Sequence, residues 1–298
     1  MKIFDCTTFF DENLMLEVRF NILDKYVDKF VIAESKYSHS GDKKKLNFDI
    51  NKFSKFRKKI VYLVLENEPN NMIYNKKDGV LFEEKNEMRK NSIRRIAHQR
   101  NKLFESLNEA DDNDYIFYSD NDEIPNFKNF NFEINQDKIT IFKQKLFYYK
   151  FNLFCDRIDW YGTKGCTKKN LVSFSWLREV KAKKYSFFRL DTFFSKTKYR
   201  KIKIIENGGW HFSQLKKPED IEIKLMNQEH HDEYKLAKKN LPSIADLVKR
   251  KSIIYDHKAK SSDYKFSKEF KLEKLSIEQL PLFLKQNVNK YSEWFDNE

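Results

Sequence analysis

Cysteine, glycine and proline are all scarce in this 298-residue chain, at three, six and five residues, and each shortage excludes something. Cys6, Cys155 and Cys166 are an odd number without a C-x-x-C pair, which argues against a disulfide framework and a zinc knuckle and for reduced thiols. No glycine falls between Phe4 and Asp11, so the chain lacks the glycine-rich phosphate loop that a nucleotidyltransferase would carry after its first strand. No apolar run approaches the ~20 residues that span a bilayer. Asp5 arrives too early for a signal peptide, and Asn-x-Ser/Thr acceptors are absent. A cytoplasmic location is the expectation. Neither an internal repeat nor a flexible linker interrupts the sequence.

Charge and aromatic side chains are what the chain has in quantity. Lys and Arg number 58 against 45 Asp and Glu, a formal charge of +13, and the 40% hydrophobic content includes 28 Phe and 15 Tyr. That apolar share can bury a full core, and the length suits one large α/β domain with or without a tail. The positive balance favours an anionic partner such as a nucleotide diphosphate, an acidic glycan, a nucleic acid or a membrane surface. It is weak evidence, because the same bias toward Lys, Asn, Ile and Phe follows from genomic base composition.

Hydrophobic periodicity gives the order of elements. Lys2 to Phe10 is β-rich, and Glu12 to Tyr26 has helical spacing with Asp11 as a cap. Phe30-Val31-Ile32-Ala33 is a second strand ending in Glu34, and Lys59 to Leu65 is a third. A helix from about Glu83 to Leu107 carries Arg89, Arg94, Arg95 and Arg100. The β-α-β-β-α-β order of the first 125 residues implies a mostly parallel sheet flanked by helices, a Rossmann-like α/β architecture. Beyond Pro125 come strand-like aromatic runs, Lys138 to Phe154, Leu171 to Trp176 and Lys201 to Glu206. From Pro218 the sequence reads as helices. The expected division is a catalytic domain over 1–240, with halves at about 1–125 and 126–240, and a helical C-terminal extension over 241–298.

The stretch Tyr115-Ile116-Phe117-Tyr118-Ser119-Asp120-Asn121-Asp122-Glu123-Ile124-Pro125 ends an apolar run abruptly in acidic side chains. It reads as a buried strand that delivers carboxylates to a sheet edge, where open α/β sheets bind ligands. Two residues apart at a strand end, Asp120 and Asp122 can both reach one hard divalent cation. An Asp-Asn-Asp triplet before proline is also an ordinary solvated turn.

Several separated segments together resemble glycosyltransferase family 17. They are Phe4-Asp5-Cys6-Thr7-Thr8-Phe9-Phe10-Asp11-Glu12, Leu16 to Leu23, Val27 to Ser35 with Ser40-Gly41, Gln99-Arg100-Asn101, Ser119 to Pro125, and Gly209-Trp210-His211-Phe212-Ser213. The resemblance spans about the first 235 residues in the same order. It implies a GT-A fold, a UDP-sugar donor, foremost UDP-N-acetylglucosamine, inversion at the anomeric carbon, and a divalent ion, Mn²⁺ or Mg²⁺. The acceptor would be a glycan or lipid-linked glycan.

Residue by residue, the resemblance puts Asp120 and Asp122 on the family's Asp-x-Asp motif, with Asp122 the strongest metal ligand and Asp120 on the ribose or on the metal through water. His211 falls where such enzymes place a late histidine on the metal or the diphosphate; without the resemblance, a packed core histidine is an equal reading. Glu34 is a candidate for the uridine or ribose, or else a loop cap. Arg100 is a candidate phosphate ligand on a helix whose other arginines read as a solvated face. Glu179 and Asp159 compete as the base that takes the acceptor proton. Trp210 and Trp160 are candidates for the pocket wall, although large aromatics more often pack in cores.

The segment Phe266 to Trp294 mixes Leu, Ile and Phe with lysines, a pattern that fits peripheral membrane contact or a helix packed on its own domain. Two other classes compete: a nucleotidyltransferase or phosphoesterase on a similar sheet, and a non-catalytic binder of anionic polymers. Carboxylates at the edge where anions should bind count against the latter, so no nucleic-acid partner is expected.

Overall fold

The computed structural model describes residues 1–77, 80–128, 130–186, 188–199, 201–259 and 265–297. Its first half alternates as the periodicity requires: β1 (Ile3–Phe9), α1 (Asn13–Leu23), β2 (Lys29–Ser35), β3 (Ile60–Leu65), a small hairpin of β4 (Asn75–Lys77) and β5 (Val80–Phe82), α2 (Lys85–Lys102) and β6 (Tyr115–Asp120). Then follow β7 (Glu123–Pro125), β8 (Ile139–Tyr148), β9 (Leu153–Thr167), α3 (Phe174–Glu179), α4 (Asp191–Phe194), β10 (Ile202–Ile205), β11 (Gly209–Ser213), α5 (Pro218–Asn227), α6 (His231–Ala237) and α7 (Ile244–Lys249). The chain closes with short strands β12 (Ser252–Ile253), β13 (Phe270–Lys271) and β14 (Glu273–Lys274) and the helix α8 (Leu282–Gln286).

The main sheet runs β3-β2-β1-β6-β9-β8-β11-β7, with β10 on β8 and β14 on β9. Strands β3, β2, β1 and β6 are mutually parallel, and β9 runs antiparallel to both β6 and β8. Side chains alternate across the sheet. Ile3, Phe9, Phe30, Ile32, Tyr115 and Phe117 join the α1 residues in one core. Phe4, Cys6, Val31, Ala33, Ile116 and Tyr118 join Leu103, Phe174 and Leu177 in another. Burial on both faces explains why these strands read as continuous apolar runs.

Three expectations change. Leu171 to Trp176 is not a strand: the Ser173 side chain accepts the Trp176 N–H and starts α3 instead. Lys138 to Phe154 is not one run but the long hairpin of β8 and β9. The stretch from 241 is only partly helical, and Leu280, Leu284, Tyr291 and Phe295 are buried in the same core as α1; its apolar residues pack on the domain. Positions 260–264 and 298 of that stretch lie outside the described residues. Among the described residues no helix is long and apolar enough to cross a membrane.

Candidate active site

The parallel register of β1 and β6 brings Thr8 opposite Asp120, so the turns leaving both strands open on one edge of the sheet. Antiparallel pairing of β7 with β11 then sets His211 opposite Glu123. The Phe212 N–H closes the arrangement by donating to the Asp122 carbonyl at 2.8 Å. Gly209 makes this approach possible: its φ is +131°, and a Cβ there would lie 2.1 Å from the Ile124 carbonyl oxygen.

Asp122 is buried with both oxygens engaged. Oδ1 lies 3.3 Å from His211 Nε2, and Oδ2 lies 3.2 Å from Lys224 Nζ. Lys224, on α5, is also 3.2 Å from Glu12 Oε1. The other Glu12 oxygen accepts the Phe10 and Asp11 N–H groups, each at 3.2 Å. Burial alone would raise the Asp122 pKa, but Lys224 and then His211 outweigh it and hold the carboxyl far below its usual range. Burial likewise opposes the Lys224 charge, and Asp122 and Glu12 more than restore it.

Asp120 has different company. Its Oδ2 accepts from Arg178 Nη2 at 2.6 Å, its Oδ1 accepts from Tyr118 Oη at 2.9 Å, and Arg100 Nη2 lies 3.6 Å away. Burial pushes its pKa up, and Arg178 and Arg100 bring it below the ordinary value. Arg178 bridges onward to Glu123 at 2.9 Å and to the Gly162 carbonyl at 3.1 Å. Glu123 also accepts from Trp160 Nε1 at 2.8 Å, which fixes that indole against the His211 ring with centroids 4.4 Å apart.

These groups line a cleft of about 500 Å³. Thr8, Phe10, Tyr37, His39, Gln99 and Arg100 line it together with a second group, Tyr148, Trp160, His211, Tyr255 and His257. Gln99 ties the strand ends together by donating to the Phe9 and Ala33 carbonyls at 3.2 and 2.9 Å, which gives the Gln-Arg-Asn segment a structural purpose. Burial pushes the His257 imidazole down to about 4, and its Nε2 lies 2.5 Å from Tyr148 Oη.

Of the residues singled out from sequence, Arg100, Asp120, Asp122, His211 and Trp160 meet on this cleft, and four others do not line it. Glu34 is fully buried beneath a loop, with its carboxylate taken up by Lys44, Tyr62 Oη at 2.9 Å and the Asn47 and Phe48 N–H groups at 2.7 and 3.0 Å; it is the loop cap. Asp159 is exposed and pairs with Lys143 at 3.1 Å. Glu179 is exposed at the end of α3. Trp210 alternates to the face of β11 opposite His211 and donates to the Gln279 carbonyl at 2.8 Å.

Sequence reasoning assigned no role to Lys224, Arg178 or Glu123. Glu12 and Glu123 stood inside quoted motifs, and Arg178 stood beside Glu179; Lys224 had no local signal among so many lysines. Glu179→Gln and Asp159→Asn are each expected to leave turnover within about twofold of the unaltered enzyme, as for surface changes elsewhere; steady-state rates check this.

The chain matches no curated protein. The sequence model of glycosyltransferase family 17 matches residues 1–170, from β1 through the acidic turn and past Trp160, more than half of the chain. With that match over the strands that carry Asp120 and Asp122, the chain belongs to glycosyltransferase family 17 and is a transferase enzyme.

Proposed function

We propose that the chain is a metal-dependent, inverting glycosyltransferase that moves a sugar, foremost N-acetylglucosamine, from a UDP-sugar to a hydroxyl of a glycan acceptor. The observation that carries this reading is the meeting of Asp120, Asp122 and His211 on one cleft at the carboxyl end of β6. The strand order, with β9 alone reversed between β6 and β8, supports a GT-A-type sheet. Family membership sets aside the nucleotidyltransferase and polymer-binding alternatives.

The donor set fits a divalent ion in its chemistry: carboxylate oxygens and a neutral imidazole suit Mn²⁺. Asp122 and His211 are already adjacent, while Asp120 is engaged with Arg178, and no three such side chains are gathered into a ready-made cage among the described residues. The charge balance also favours an incoming cation. Four carboxylates line the cleft, Glu12, Asp120, Asp122 and Glu229, against four side-chain cations, Lys44, Arg100, Arg178 and Lys224, so a bare diphosphate would enter a site with no positive excess. A bound ion, held by Asp122 and His211 with Asp120, would supply Lewis-acid neutralisation of the departing diphosphate.

The remaining work falls to the chain's own side chains. Arg100, whose Nε donates to Tyr118 Oη at 3.0 Å and whose Nη2 lies 3.6 Å from Asp120, can turn its outer guanidinium edge to a phosphate oxygen. Tyr37, His39 and Phe10 offer ring faces for the nucleoside. The acceptor approaches from the Tyr148, Trp160 and Tyr255 side, where aromatic faces can hold a sugar ring.

The test is UDP release from a panel of UDP-sugars with and without Mn²⁺. Manganese-dependent turnover of one donor is expected. Binding or turnover of no UDP-sugar under any metal condition would sink the reading.

A further inference from the structure

Lys224 places a cation on the carboxylate that the metal needs. Its ammonium sits 3.2 Å from Asp122 Oδ2 and 3.2 Å from Glu12 Oε1, and neither anchor is free to drift. Glu12 is pinned by two backbone N–H groups, and the Asp122 carbonyl is pinned by Phe212. A divalent ion arriving alone at Asp122 meets an ammonium at contact distance from its own ligand, and like charges so close in a buried site repel strongly. An ammonium carries three protons. Glu12 and Asp122 engage two, which leaves one donor for a ligand in the cleft that Lys224 lines.

We propose that Lys224 is a handover cation. Without substrate it neutralises Asp122; with a divalent ion and the donor diphosphate both bound, Lys224, still held by Glu12, would release Asp122 to the ion and turn to a diphosphate oxygen. This rests on the metal-dependent UDP-sugar reading above and adds an order to it. Metal alone binds poorly because it must displace an ammonium that has nowhere else to go. The diphosphate gives that ammonium a new partner. Metal and nucleotide therefore each strengthen the other's binding, and by the same factor, as thermodynamic linkage demands.

The experiment measures Mn²⁺ binding to the full chain by the electron paramagnetic resonance of the free ion, with and without UDP. In the unaltered protein UDP should tighten Mn²⁺ binding. In Lys224→Met, Mn²⁺ alone should bind at least about tenfold more tightly, because a competing and repelling charge is gone. The tightening by UDP should shrink, and UDP affinity in EDTA should fall. Lys224→Arg, which keeps the charge, should retain coupling between the two ligands. If Lys224→Met leaves nucleotide-free Mn²⁺ affinity unchanged or lower, Lys224 merely props Asp122 and the handover is overturned. If neither protein binds Mn²⁺ even with UDP present, it is the metal-dependent reading itself that fails. The charge-balanced pair Glu12→Gln with Lys224→Met asks the same question should the single variant not fold, since removing both partners avoids a stranded carboxylate.

Discussion

Asp122→Asn is expected to lower sugar transfer by about a thousandfold, while the fold survives. The magnitude is that of removing one group that meets developing charge in a water-poor site. Several features concentrate the effect at this side chain. Among the contacts described, Asp122 is the only residue that touches both His211 and Lys224, so the substitution weakens the proposed metal ligand and separates the imidazole from the ammonium at once. Asparagine keeps the shape and one acceptor oxygen but lacks the negative charge that a hard cation would need. The backbone contact from Phe212 to the residue 122 carbonyl does not depend on the side chain, which is why the turn should persist. Asp120→Asn should behave differently, because the first consequence there is to release Arg178 and Arg100. UDP release in saturating Mn²⁺, paired with a thermal melt, measures both effects. Retention of more than about a tenth of the unaltered turnover would show that the ion is not held here.

How far these residues were legible depends on whether their partners are near in sequence. Asp120 and Asp122 announce themselves because an apolar strand and the residues it delivers are contiguous, and Gly209-Trp210-His211 resembles a family motif. The pairing of β7 with β11, which makes the acidic turn and the histidine neighbours, spans residues 123 to 211 and leaves no mark in either segment. Lys224 is the extreme case. It is one lysine on an ordinary amphipathic helix, and only the docking of α5 makes it a site residue.

Glu179 was a candidate base only from its place between the acidic turn and the late histidine, and position along the chain does not say which side chain faces inward. The cap at Ser173 starts a helix there, so Arg178 reaches Asp120 and Glu179 is left exposed. For Glu34 the loop-cap reading is the one its contacts favour, for another reason. A carboxylate at the end of a core strand faces the binding edge only if nothing nearer claims it, and four donors do.

Arg19→Met should destabilise the protein by about 3–5 kcal/mol, the usual cost of breaking a buried ion pair from one side. Arg19 is fully buried on α1 and grips Asp5 of β1 bidentately, with Nε to Oδ2 at 2.7 Å and Nη2 to Oδ1 at 2.5 Å. Methionine fills the volume but strands Asp5, itself 1% exposed, among the apolar residues of the central strand. Changing both partners, Arg19→Met with Asp5→Leu, should recover most of the loss, because no buried charge is then unpaired. Activity should not return with it. The remaining guanidinium nitrogen donates to the Glu123 carbonyl at 2.5 Å, bracing the acidic turn from the α1 face of the sheet while Arg178 and Trp160 hold the Glu123 carboxylate. The double variant lacks that brace, so stability and turnover should part company. Urea unfolding and UDP release on the same preparations would show it; full recovery of turnover in the double variant would reduce Arg19 to a core ion pair with no hold on the site.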